Sequence, residues 1–432
     1  MILRRWFWLV YGAILLLVTV AGTELVASFL VPTWPARDLR PVSAEALKDR
    51  ISSVFADMPQ LVPVYNDWGM RDRPRSFVRP ADVAFRSVMV GDSFLEGLML
   101  ASPLPARVEL RWREAGQADM EAINLGVSAT GPQQYYYRIR DVVTPLKPDL
   151  IVVMVYAGND FVSTGLEPYA LPPWIAELPM PSALGLVAPR TTWLLVNRLG
   201  LSELGRGNRA IPDEFALLNE WARKPPAERL DYFVRHIRTH YYPNVDEATI
   251  RGILSRGGDR LWTAFRPRPA DREFVQGWLL GSMVDWETGT WEVPRTAEEA
   301  DQRSAPMVEE TLSWLLGANE LAKNMGARLV VALAPSGVVD PDYVEFWRPW
   351  PRYFSYNLSS DARHRRLAGE LHRRGLSVVD LRDSLNGVAG TYRLTDGHWT
   401  EKGTDIVAQR LSSELMDLRK AVDGRRQGGA DR

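Results

Sequence analysis

Apolar residues divide the chain into one long uninterrupted stretch, a polar interval, and two blocks of short apolar runs separated by a tract without that rhythm. Trp6 to Gly22 holds neither charge nor proline; Arg4 and Arg5 precede it, Glu24 follows, and apolar character resumes at Leu25 to Val31. At ~1.5 Å rise per residue such a stretch crosses a ~30 Å hydrocarbon layer, so residues 1–31 are expected to form a transmembrane helix. The rival is a cleaved signal peptide, because small residues lie near Ala21 to Thr23. The two arginines would stay on the cytoplasmic side, leaving the remainder periplasmic, or more generally extracytoplasmic. Residues 32–85, rich in proline and charge, read as a tether leading into the core.

Short apolar runs then alternate with helical intervals. Val88 to Val90, Asp119 to Leu125, Asp149 to Tyr156 and Arg328 to Ala334 read as buried strands, and Ser377 to Asp380 as a short strand. Helices are expected over Pro132 to Leu146, Ala305 to Met325, Asp361 to Arg374 and Lys402 to Ala421. Alternating strands and helices of this kind predict an α/β fold with a parallel sheet covered on both faces. The core is thus placed in two parts, 86–160 and 305–421. Between them, residues 161–304 read as an insertion of loops and helices, including Ile211 to Ala222 and Glu228 to Thr239. The glycine-rich polar end, 422–432, is expected to be disordered.

Charge and composition exclude several functions. With 52 basic and 53 acidic residues there is no electrostatic case for nucleic-acid binding. The absence of cysteine removes disulfides, thiolate metal sites and cysteine nucleophiles. Sixteen tryptophans suit stacking on sugar faces, although large aromatic residues mostly serve cores.

In a parallel α/β sheet ligands gather at the carboxyl ends of strands, and four such places carry chemistry. Ser93, in Ser87-Val-Met-Val-Gly-Asp-Ser-Phe-Leu-Glu-Gly97, stands where a strand gives way to a helix, the position of a nucleophile. It could equally be a simple helix cap. Leu95 rules out the G-x-S-x-G elbow. His398, in Thr395-Asp396-Gly397-His398-Trp399, could take the serine proton, with Asp396 orienting the ring or merely bracing the loop. Gly126, in Asn124-Leu-Gly126-Val-Ser128, and Asn159, in Gly158-Asn159-Asp160, could stabilise an oxyanion, or could be ordinary turn residues. Ser128 is the rival nucleophile. His236 and His240 have metal-ligand spacing but lack the glutamate of H-E-x-x-H, and no metal is expected. His364 and His372 read as solvated helix-surface residues.

Taken together, Gly91-Asp92-Ser93, Asn124-Leu-Gly126, Gly158-Asn159-Asp160 and Asp396-Gly-His398 resemble, in order, the four blocks of the SGNH, or GDSL-like, hydrolase superfamily. The resemblance covers both core stretches and leaves the insertion unmatched. It implies a three-layer, flavodoxin-like α/β/α sandwich and a serine hydrolase needing no cofactor. It also implies Ser93 as nucleophile, His398 as base oriented by Asp396, and an oxyanion hole of the Ser93 and Gly126 N–H groups with the Asn159 amide. One departure concerns Asp396, since the commoner family spacing is Asp-x-x-His and Thr395 holds that place. A second is that the pair follows the serine, unlike its order in alginate-acetylation relatives.

Three functions follow as expectations. The first is an extracytoplasmic esterase removing acetyl or other acyl groups from a cell-envelope or extracellular carbohydrate. The second is a carbohydrate O-acyltransferase using the same residues, fed by a membrane acyl-donor protein. The third is a non-catalytic glycan-binding or assembly protein. The insertion, leaving the strand end that holds Asn159, is expected to shape substrate access.

Overall fold

The computed structural model describes residues 2–30, 65–66, 68–97, 100–128, 130–161, 188, 191, 224–240, 242–258, 260–261, 283–284, 286–289, 294, 296–394 and 397–430. Asp396, Thr395, and the expected helix Ile211 to Ala222 lie outside these residues. So do most of the tether and much of the insertion.

The chain divides into two compact units. The first joins 1–43 with 165–210. Its helix α1 (Ile2–Leu30) contains Trp6–Ala27, 22 residues of mean hydropathy 2.0, long and apolar enough to cross a membrane. Glu24 accepts the Thr191 N–H at 2.9 Å and the Thr191 hydroxyl at 3.0 Å, so the acid that interrupts the apolar run is satisfied within its own unit.

The second unit, 44–164 with 211–432, holds the sheet. Its strands are β1 (Phe85–Gly91), β2 (Met120–Gly126), β3 (Leu150–Tyr156), β4 (Arg328–Ala334) and β5 (Ser377–Asp380). They run parallel in the order β2-β1-β3-β4-β5, with Val88 opposite Ile123 on one side and Ile151 on the other. This is the flavodoxin-like order, whose switch point lies between β1 and β3. All seven residues of β1 and of β2 are buried, which is why the sequence shows runs there rather than alternation.

Helix α2 (Ser93–Glu96) follows β1 directly, α3 (Leu104–Glu114) crosses from β1 to β2, and α4 (Pro132–Arg138) opens the crossing from β2 to β3. Those two crossings travel in opposite directions, so right-handed connections place α3 and α4 on opposite faces. Helices further along the described chain include α5 (Pro226–His240), α6 (Glu247–Leu254), α7 (Ala297–Asn324), α8 (Pro341–Trp347), α9 (Pro351–Arg373) and α10 (Glu401–Ala430). Helix α10 packs on α3, while α7 packs on α4 and α9, completing the three layers.

Several boundaries differ from expectation for physical reasons. Helix α7 begins eight residues before Ala305, capped by Thr296, whose hydroxyl accepts the Glu299 N–H, and it runs through Pro306. Helix α9 begins at Pro351, where a proline at the first helical position loses no bond. Helix α10 spans Glu401–Ala430, longer than the expected Lys402 to Ala421. Of the expected insertion, helices α5 and α6 fall in the unit that holds the sheet. Phe233, Ile237, Ile250 and Leu254 of α5 and α6 join the main core, and the Trp350 indole N–H donates to Ile253 O at 2.7 Å. The end of the tether is also structural. The Arg75 side chain is buried, its guanidinium paired with Asp72, Glu109 and Glu121, and it donates to Ala122 O on β2 at 2.7 Å.

Candidate active site

Strand β1 ends at Gly91, where a Cβ would come within 2.9 Å of Leu95 Cδ1 and Met154 Cβ; only glycine lets the chain turn there. Asp92 then caps α2. Its carboxylate accepts the Phe94 N–H at 3.0 Å and its carbonyl accepts those of Leu95 and Glu96 at 3.2 and 3.1 Å. Ser93 therefore opens a helical turn, half-buried, and its own N–H is of the kind that helix geometry leaves for a ligand.

His398 is delivered by the loop between β5 and α10. The buried Asp340 carboxylate gathers that loop, accepting the N–H groups of Thr391 at 2.7 Å, Tyr392 at 2.9 Å and Gly390 at 3.2 Å. The chain reverses at Gly397, in the left-handed region with φ 72°, and the Arg393 N–H donates to His398 O at 2.7 Å. The Tyr392–Trp399 bridge closes the reversal, and Thr400 accepts the Gly403 N–H at 3.2 Å as α10 starts. The imidazole lies 4.9 Å from the Phe94 ring, which also contacts Tyr156 at 4.3 Å and Trp399 at 4.7 Å. In this setting His398 Nε2 stands 2.8 Å from Ser93 Oγ. The chain has a flavodoxin-like α/β fold with this serine and histidine paired at its switch point. In its neutral form the ring nitrogen accepts the serine hydroxyl proton, the contact a nucleophile and base require. Whether Asp396 meets the other ring nitrogen lies outside the described residues.

The remaining expected residues of the site are placed less uniformly. Gly126 ends β2 beside Gly91, and a Cβ there would fall 2.5 Å from Glu96 N and Leu95 Cβ. Its glycine is thus required by the close approach of α2. Its N–H donates to Asn124 Oδ1 at 2.9 Å, so this expected oxyanion donor already holds an internal partner. Asn159 is exposed just beyond β3, on the open side of the switch point. Ser128, the rival nucleophile, is engaged elsewhere: both its N–H, at 2.8 Å, and its hydroxyl donate to Glu96. Glu96 is buried and also accepts the Tyr65 hydroxyl at 2.7 Å, pinning the β2 loop to the Ser93 turn.

Two buried carboxylates lie beneath Ser93. Burial pushes Asp92 up to about 6, opposed by the Phe94 N–H, the nearby His398 and the Ser93 hydroxyl, which lies 3.3 Å from Asp92 Oδ2. Asp160 is also raised well above the ordinary carboxylate range, by burial and then by the neighbouring charge of Asp92. Its hydrogen bonds agree. The Tyr135 oxygen lies 2.9 Å from Thr130 O, which can only accept, and 3.0 and 3.1 Å from the two Asp160 oxygens. One phenolic proton serves the carbonyl, so a protonated Asp160 completes the set by donating to Tyr135. The Tyr156 N–H donates to Asp160 Oδ2 at 2.8 Å.

The other histidines behave differently from expectation in one case. His364 is buried, not solvated: its Nε2 lies 2.8 Å from Asp380 Oδ1 at the end of β5. His372 is exposed, with Nδ1 2.7 Å from Ala368 O. His236 is buried against the Tyr232 ring. Among the described residues no three His, Asp or Glu side chains are grouped to hold a metal ion.

Neither Asp340 nor Glu96 was among the expected site residues. Asp340-Pro341 is a legible helix start, and Asp340 does accept the Asp342 N–H at 2.8 Å. Nothing local announces its second duty to the His398 loop.

No family model and no curated protein matches the sequence. Solved structures similar to it include a GDSL-like lipase from Bacteroides thetaiotaomicron, 12% identical with TM-score 0.31, the match covering 79% of this chain and 92% of that one. Another is an α/β hydrolase enzyme from the metagenome of Lake Arreo, 11% identical with TM-score 0.29, covering 77% of this chain and 94% of that one. At such identities and scores, the reading of the site rests on this chain's own geometry.

Proposed function

We propose that the protein is an extracytoplasmic serine esterase that removes acetyl or other small acyl groups from a cell-envelope or extracellular carbohydrate. The observation that carries the reaction class is the 2.8 Å approach of His398 Nε2 to Ser93 Oγ at the mouth of the β1/β3 switch point. Ser93 Oγ attacks the ester carbonyl while its proton passes to His398. Collapse of the tetrahedral adduct breaks the bond to the sugar oxygen, which takes the proton from His398. Water, deprotonated by the same ring, then releases the acyl group as its acid and restores the serine. The developing oxyanion is met by the Ser93 N–H and the Asn159 amide. Gly126 contributes where its N–H is shared between Asn124 and the oxyanion. Asp396 is assigned the orientation of the His398 ring.

Support for the compartment comes from α1 and the two arginines at its start. The carbohydrate rests on that compartment alone. Tryptophan abundance does not add to it, since Trp112, Trp347, Trp350 and Trp399 are fully buried.

Purified protein offered an aryl acetate and an acetylated oligosaccharide tests the reading. Release of acetate by the wild type, lost in Ser93→Ala, is the expected result. Ester formation on an added sugar acceptor without net acetate release would instead make the protein an acyltransferase. Equal behaviour of wild type and Ser93→Ala in every assay would remove the catalytic reading altogether.

A further inference from the structure

Both residues beside Asn159 are fixed. On its C-terminal side Asp160 is held by the Tyr156 N–H and by Tyr135. On its N-terminal side the agent comes from 205 residues beyond Gly158 along the chain. Arg363, buried on α9, points its guanidinium at the end of β3: Nε donates to Ala157 O at 3.1 Å, and one terminal nitrogen donates to Gly158 O at 3.0 Å and Ser360 Oγ at 2.9 Å. The guanidinium carbon also lies 5.8 Å from the Phe161 ring, on the far side of the same loop. The loop is tightly folded beneath this grip, because a Cβ at Gly158 would fall 2.2 Å from the Tyr156 ring.

A rigid fork that binds two successive carbonyls fixes the orientation of the peptide planes between them, which a single-point donor cannot do. The peptide that follows carries Asn159, whose side chain is exposed at the site. We infer that Arg363 is a positioning residue that sets the direction of the Asn159 amide toward the oxyanion formed at Ser93. This rests on the acyl-enzyme reading above. Asn159 meets the oxyanion only when the carbonyl carbon becomes tetrahedral, so misplacing its amide lowers turnover and leaves substrate binding unchanged.

Four full-length proteins test it: wild type, Arg363→Lys, Asn159→Ala and the double variant, each assayed with an aryl acetate and each checked for cooperative unfolding. Loss of one oxyanion donor lowers kcat about 100- to 1,000-fold. Asn159→Ala is expected in that range, and Arg363→Lys at about 10- to 100-fold with KM within about twofold. If Arg363 acts through Asn159, the double variant is no slower than Asn159→Ala. Multiplied losses would show that Arg363 merely stabilises the fold, and overturn the inference. Amide hydrogen exchange supplies a readout that needs no catalysis: peptides covering 157–161 are expected to exchange faster in Arg363→Lys, and unchanged protection there would also overturn it. A wild type without Ser93-dependent hydrolysis would sink the acyl-enzyme reading itself, and the role given to Arg363 with it. An active wild type with multiplied losses would sink the role of Arg363 alone.

Discussion

His398 Nε2 and Ser93 Oγ stand 2.8 Å apart although 305 positions separate them in the chain. One is carried by the first turn after β1 and the other by the last loop before α10, so the contact exists only when the sheet is fully assembled. General acid–base participation contributes about 100- to 10,000-fold to such reactions. His398→Ala is therefore expected to lower kcat on an aryl acetate by that order. Because serine and histidine act as a unit, the Ser93→Ala/His398→Ala double variant should be no slower than Ser93→Ala. Steady-state kinetics of the three variants decide this, and independent losses would break the pairing.

Ser128 is the local rival of Ser93, and its hydroxyl is committed to Glu96. Ser128→Ala is expected to retain labelling by a fluorophosphonate probe and to keep kcat within about tenfold, since it loses one hydrogen bond of about 1 kcal/mol. Ser93→Ala should lose labelling completely. Mass spectrometry of the labelled peptide checks both, and a label found on Ser128 would exchange their roles.

Asp92 and the pH dependence of stability provide a third expectation. Burial places Asp92 at about 6 in the folded protein, against its ordinary 3.8. Between about pH 4 and pH 6 the folded state holds a proton that the unfolded chain has released. Stability owed to this group therefore falls as pH rises through that window and is level above it. The size of the fall is about 3 kcal/mol. Asp92→Asn cannot ionise but keeps an oxygen to accept the Phe94 N–H, so its stability relative to wild type should improve by about that amount from pH 4 to pH 7. Urea unfolding at the two pH values measures it. A constant difference would refute the assignment.

Much of this architecture is legible in the sequence, and the exceptions share a cause. The strand Arg328–Ala334 matches its apolar run residue for residue, because a strand buried on both faces has nothing to alternate with. Ser93, Gly126, Asn159 and His398 could be picked out because strand-end turns need short, polar or glycine residues whose pattern is local. His364 could not, since what removes it from solvent is Asp380, sixteen positions away on another element. Arg363 and Asp340 were equally hidden. Their partners are backbone groups of distant loops, Ala157 and Gly158 for one, Thr391 and Tyr392 for the other, and any residue would offer the same carbonyl or N–H. The Gly126 glycine was visible while its reason was not: α2 leaves no room for a side chain there.

Asp160 should tolerate an amide. In the protonated form one of its oxygens donates to Tyr135 while the other accepts from the Tyr156 N–H. Asparagine reproduces both contacts with an NH2 group and a carbonyl, so Asp160→Asn is expected to stay within about 1 kcal/mol of wild type. Asp160→Ala leaves a buried N–H and a buried phenol without this partner, and should lose about 2–4 kcal/mol. Denaturant titration of the two variants gives the comparison. An asparagine variant as damaged as the alanine would show that Asp160 is ionised.

Asp340 should behave in the opposite way, because every contact made to it comes from a donor. Oδ1 accepts the N–H groups of Asp342 and Gly390, and Oδ2 accepts those of Thr391 and Tyr392 together with the Thr391 hydroxyl. An amide in its place must turn its NH2 toward one of these sets, where donor faces donor. The isosteric Asp340→Asn is therefore expected to lose about 2–4 kcal/mol despite keeping the shape, and Asp340→Ala at least as much. Since these contacts gather the loop that carries His398, the asparagine variant should also lose turnover under conditions where it remains folded, with KM little changed. Unfolding curves and steady-state kinetics on the same preparation measure the two losses. A destabilised variant with full kcat would mean that the loop holds His398 in place without Asp340.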